Sequence, residues 1–168
     1  VTKYLPIQNR VDRLVSLALN WARLSAKENS DKKIAIVFHH YPPRNDRIGC
    51  AAGLDSFASV RYFVDDLKAA GYTIDSTYES AEELSEKVLS AMTCDRRWLL
   101  PEQMYERACA RAVKHDYQAW HKTLPEKIRK KQVEDWGPVP GDLFVHNGEM
   151  MFPGIHNGNI FITIQPPR

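Results

Sequence analysis

The stretch from His39 to Asp55 gathers residue types that do chemistry: His39, His40, Tyr41, Arg44, Asn45, Asp46, Arg47 and Asp55, with Gly49 and Gly53 among them. Imidazoles are metal ligands, and glycine lets a backbone approach a ligand closely. At about 17 residues the stretch is long for a strand-to-helix connection, where roughly 2–6 is usual, and such outliers are functional or disordered. Plainer readings stand beside this one. Neighbours on an extended chain point to opposite sides, so at most one of His39 and His40 faces a site. Asp55 or Ser56 can simply cap the following helix, Arg44 and Arg47 can be surface charges, and the glycines can serve turn geometry.

The flanking elements decide whether such a loop is well placed. Lys33 to Phe38 (KIAIVF) is a short apolar run rich in β-branched residues, which predicts a strand buried on both faces. Before it, Val11, Leu14, Val15, Ala18 and Ala22 keep helical spacing behind Asn9 and Asp12. After the loop, Phe57, Val60, Val64 and Leu67 mark a helix closed by Gly71. Tyr72 to Asp75 reads as the next strand, and Ser80 with Glu83 opens a helix through Leu84, Val88 and Met92. Further helices start at Pro101, Asp116 and Pro125 and end at Trp136-Gly137; a hairpin is expected around His146-Asn147-Gly148, and Asn159 to Gln165 is strand-like. This order predicts an α/β fold: one domain over residues 1–168, with a Rossmann-like parallel sheet flanked by helices, a helical insert at about 94–136 and a small β-hairpin.

Ligands of such sheets bind outside the carboxyl ends of the strands, which is where the 39–55 loop begins. Two strand ends share a pattern, since Ile36 to Arg44 and Phe161 to Arg168 both run an apolar strand into Pro-Pro-Arg. If the two strands are parallel, Arg168 emerges on the same edge as His39, His40 and Arg44.

Composition narrows the functions. With 23 Lys and Arg against 21 Asp and Glu there is no electrostatic footprint for nucleic acid. Cys50, Cys94 and Cys109 form no CxxC pair, which argues against a disulfide framework or structural zinc and fits a reducing cytoplasm. No long apolar run suggests a membrane span, and no leader pattern opens the sequence. The chain starts on Val1 and stops on Pro166-Pro167-Arg168, so a piece of something longer is expected. There is no P-loop, no dinucleotide fingerprint and no nucleophile elbow, so ATP hydrolysis and covalent hydrolysis are not expected of it.

His40-Tyr41-Pro42-Pro43-Arg44-Asn45-Asp46-Arg47-Ile48-Gly49, followed by Ala51-Ala52-Gly53-Leu54-Asp55 and Ala58-Ser59, resembles the signature of the cobaltochelatase large subunit (CobN type), a relative of the magnesium chelatase large subunit. Trp136-Gly137 with Pro140-Gly141, then Pro153-Gly154-Ile155, Gly158 to Ile162 and Gln165-Pro166-Pro167-Arg168, continue the resemblance in the family's order, over most of residues 33–168. The magnesium branch carries roughly PPDKGNVG in the first loop, so Arg44, Asn45 and Arg47 favour the cobalt branch. Family members are much longer, which implies an internal segment.

The resemblance implies a subunit that binds a corrinoid or related tetrapyrrole macrocycle and inserts divalent cobalt, a ligase reaction forming nitrogen–metal bonds in cobalamin biosynthesis. ATP and Mg would sit on separate AAA+ ATPase subunits, and the remainder of the large subunit would be a further partner. No cofactor is assigned to this chain, and alone it is expected to lack chelatase activity. Inserting the metal removes two ring N–H protons, so a base near neutrality and exchangeable metal donors are needed; His39 and His40 suit both roles. Tyr41, Arg44, Asn45, Arg47, Asp55, Gln165 and Arg168 would bind the macrocycle, the arginines pairing with its carboxylates. Arg44 is expected to matter more than Arg97, which lies outside the loop. Two other readings remain open: a module that docks the ATPase subunits, and a binder of a small phosphorylated or carboxylated ligand.

Overall fold

The computed structural model describes residues 4–166 and has a mixed α/β fold. Its central sheet contains β1 (Ile34–Phe38), β7 (Ile155–Asn157) and β8 (Ile160–Ile164) in the order β1-β8-β7. β1 and β8 run parallel from Ile34↔Ile160 to Phe38↔Ile164, as the repeated Pro-Pro-Arg pattern predicts, whereas β7 is antiparallel to β8. The sheet is therefore small and mixed, and the Rossmann-like layer is not what forms. Helices α2 (Ser56–Ala69) and α3 (Ala81–Ser90) lay Val64, Leu67, Leu84 and Val88 on Phe38, Ile160, Ile162 and Ile164. Only one face is covered this way. Along β1 burial alternates, and Val37 is 58% exposed, so the strand expected to be buried on both faces has a solvent side.

Local signals explain the helix ends. Asp55 Oδ1 accepts from the Ala58 amide at 2.9 Å and starts α2. At its other end the Gly71 amide donates to Lys68 O and the Tyr72 amide to Leu67 O, a Schellman closure that needs the positive φ of Gly71. Ser80 Oγ accepts from the Glu83 amide, and the Glu83 carboxylate accepts from the Glu79 amide, one residue beyond the N-cap amide of a reciprocal box.

Tyr72 to Asp75 forms no strand. Its backbone instead crosses the β7–β8 turn: the Asn159 amide donates to Thr73 O, and the Gly158 amide to Asp75 Oδ2. The buried Asn157 side chain accepts from the Asp75 and Ser76 amides and donates to Ser76 O and the Tyr78 hydroxyl. A strand at 72–75 would need those groups for a ladder.

Beyond α3 lie α4 (Pro101–Arg107), β4 (Ala110–Val113), α5 (Lys114–Lys122), α6 (Glu126–Trp136), β5 (Val145–His146) and β6 (Glu149–Phe152). The stretch 94–136 is thus not purely helical, because β4 pairs with β6 in a second sheet ordered β4-β6-β5. The β5–β6 hairpin turns at Asn147 and Gly148, both with positive φ, as expected. A separate core of Met92, Met104 and Met151 holds this part together.

Helix α1 (Gln8–Ala26) stands apart, since none of its residues is buried and Leu14 and Trp21 are 69% and 71% exposed. It has the expected apolar spacing, but no packing partner among the described residues. Among those residues no helix is long and apolar enough to cross a membrane.

Candidate functional site

Because β1 and β8 are parallel and in register, their carboxyl ends lie side by side, and the Gln165 amide donates to Phe38 O at 2.9 Å. The 39–55 loop and Gln165 therefore leave one edge together. Arg168 lies outside the described residues.

The loop folds back immediately. The Gly49 amide donates to His39 O, and His40 bridges to Ile48. A short 3-10 turn at Asn45–Arg47 follows the prolines, and a tight hairpin of β2 (Cys50–Ala51) and β3 (Leu54–Asp55) leads into α2. Gly49 has a φ of +71°, and a Cβ there would meet Phe38, Ser56 and Phe57 at 3.2–3.4 Å, so the turn requires glycine. Beside the hairpin is an open concavity of about 440 Å³, formed by Ile48 to Ala52 and Leu54 to Phe57.

The two histidines separate as an extended chain requires: His39 is exposed and His40 is 1% exposed. They do not form one ligand pair. His40 Nε2 lies 2.9 Å from Arg44 O, and a carbonyl only accepts, so Nε2 carries the proton. Its Nδ1 lone pair is then buried with no partner among the described residues. Burial lowers the pKa of His40, which keeps the imidazole neutral near pH 7. A neutral ring with a bare nitrogen can accept a proton or donate to a metal. Among the described residues no three His, Cys, Asp or Glu side chains converge as a metal cage.

The other expected site residues have mixed positions. Tyr41 is exposed. Arg44 makes a fork to Asp46 at 2.9 and 2.8 Å, and Arg47 approaches the same carboxylate at 3.7 Å. Hydrogen bonding from Arg44 holds the Asp46 pKa below the usual range. Asn45 Oδ1 accepts from Thr93 Oγ1, and Asp55 caps α2, so both side chains already carry structural bonds.

Sequence reasoning missed what holds the loop. Asp95 is buried with a side-chain exposure of 0%, yet it accepts from the Asn45 amide at 3.0 Å, from the Arg97 amide, and from Arg97 Nε and Nη2 at 2.8 and 2.6 Å. These bonds, led by Arg97, push its pKa far down. The available signal was local: an Asp accepting the amide two residues on is an Asx turn. Arg97, set aside from sequence, thus sits beside the loop. The neighbouring Cys94 thiol is pushed up to about 12 by burial and that of Cys109 to about 11, which leaves neither a good nucleophile.

The parallel β1–β8 pair thus ends in a folded, partly buried loop within a mixed α/β segment. The family model for CobN/magnesium chelatase matches residues 1–168, and the chain belongs to that family. It is 44% identical over 168 residues to an uncharacterized protein of Methanocaldococcus jannaschii, covering all of this chain and 14% of that protein. The aerobic cobaltochelatase subunit CobN of Pseudomonas aeruginosa is 34% identical over 169 residues, covering all of this chain and 13% of the relative. The chloroplastic magnesium-chelatase subunit ChlH of Oryza sativa subsp. indica is 31% identical over 162 residues, covering 95% of this chain and 11% of its own. In structure, the catalytic subunit of cobaltochelatase from Mycobacterium tuberculosis aligns with a TM-score of 0.80 at 27% identity, over 99% of this chain and 13% of that one. The chain therefore spans between about one ninth and one seventh of the length of these relatives.

Proposed function

We propose that this chain is the part of an ATP-dependent metal chelatase large subunit that holds one edge of a corrinoid or related tetrapyrrole and contributes to cobalt insertion in cobalamin biosynthesis. The observation that carries the reading is the paired end of β1 and β8, with His40, its Nδ1 buried and unpartnered among the described residues, behind the loop that carries Arg44 and Arg47. Insertion releases two protons from the ring nitrogens. The His40 Nδ1 lone pair has the character to accept one or to pass the metal on, once the loop opens to reach it. His39, exposed at the same edge, is the second candidate for those tasks. Tyr41, Arg44, Arg47 and Gln165 would meet the ring and its substituents, and Arg168 is carried along from sequence.

AAA+ ATPase subunits would bring ATP and Mg to the assembly, and the site of action would be the cytoplasm. The remainder of the large subunit is the natural cover for α1, whose Leu14 and Trp21 have no partner among the described residues. That same exposed helix favours a second reading, a module docking the ATPase subunits without catalytic residues of its own.

Titrating a metal-free corrinoid into the large subunit that carries this chain, followed by the ligand's near-ultraviolet band, tests the proposal. A saturable shift is expected. No shift, together with retention of the ATPase subunits on the immobilised chain, would replace it with the docking reading.

A further inference from the structure

Among the described residues, the side chains of the loop's own arginines are held only by an exposed carboxylate. Arg44 and Arg47 share Asp46, and all three side chains are about half exposed, so no buried group fixes either guanidinium in one place. Arg97 differs in what holds it. Its Nε and Nη2 are gripped by the fully buried Asp95, which also accepts from the Asn45 amide and so locks the guanidinium to the loop. Its side chain is 51% exposed, and Nη1 has no hydrogen-bond partner among the described residues. Next to it Trp98 is 71% exposed, with the Arg97 guanidinium 5.6 Å from its ring centroid.

A cation held in place by a buried carboxylate loses little freedom on binding, and an exposed indole offers a flat apolar face. We infer that Arg97 and Trp98 are ligand-contacting residues at this edge, Arg97 pairing with a peripheral carboxylate and Trp98 stacking on the conjugated ring, with Asp95 as the positioning residue. This deepens the macrocycle reading and rests on it. It also reverses the order expected from sequence, in which Arg44 outranked Arg97.

The test uses the large subunit carrying this chain and two probes: cobyrinic acid, a corrinoid with free carboxylates, and its full methyl ester. Arg97→Ala should weaken binding of the acid about tenfold or more and leave the ester within about twofold, as the loss of one charged hydrogen bond implies. Arg97→Lys should recover only part of the loss, because a single ammonium cannot keep the two-bonded grip of Asp95 and still present a fixed N–H outward. Trp98→Ala should weaken both probes. Asp95→Asn should follow Arg97→Ala on the acid and spare the ester, which a merely misfolded variant would not do. Equal loss of acid and ester in Arg97→Ala, or no loss of the acid, overturns the inference while the macrocycle reading stands. If the unaltered subunit binds neither probe, both fall.

Discussion

Replacing Asn157 with leucine is expected to cost about 3 kcal/mol or more of stability, a large share of what an ordinary domain has. Asn157 is 2% exposed and spends all its amide groups on the segment Asp75–Tyr78: two backbone amides, one carbonyl and the Tyr78 hydroxyl. Leucine fills similar volume and satisfies none of them. Asp75 and Ser76 are exposed enough for water to take part of the load, but Tyr78 is buried and cannot be rescued in this way. The urea midpoint of the purified protein checks it, and a midpoint equal to that of the unaltered chain would refute the role assigned to this side chain.

A second large loss, about 4 kcal/mol, is expected for Gly154→Ala, combining a strained backbone with overpacking. At a φ of +111° an added Cβ would lie 2.2 Å from Ile162 O and 2.7 Å from Thr163 Cα, and both obstacles are backbone. They belong to β8 just before the strand end that builds the site, so the sheet edge would shift with them. Gly53→Ala is the matched control. It has a φ of +70° and nothing within 4 Å of the added carbon, so it should lose only about 1–2 kcal/mol to the left-handed conformation. Thermal or urea unfolding of the two variants side by side checks the order; equal losses would mean that the β6–β7 corner relaxes freely.

What is legible in the amino-acid sequence depends on the range of each interaction. Caps and turns were legible because their partners lie within four residues, as for Asp55 with Ala58, Ser80 with Glu83, and Asn147-Gly148. The parallel pairing of β1 with β8 was legible because both strands end in the same Pro-Pro motif. The strand misread at Tyr72 to Asp75 is tied down by Asn157 and the β7–β8 turn, some 80 residues away, and no local pattern reports that. β4 was missed because Ala110 to Val113 is short and wedged between helices without turn residues. In the site, the loop stood out by length and composition, while its anchor did not. Asp95 meets Asn45 across 50 residues, and no local pattern reports that pairing. The chemical separation of His39 from His40 followed from strand geometry, but the bare Nδ1 on His40 depends on Arg44 O coming round to meet the other nitrogen.

The most direct measurement is hydrogen–deuterium exchange of the large subunit with and without a bound metal-free corrinoid. Protection is expected in peptides covering 39–55, 92–98 and 160–166, the three stretches that meet at the paired strand ends. Protection confined to other parts of the subunit, with these three unchanged, would contradict the placement of the macrocycle at this edge.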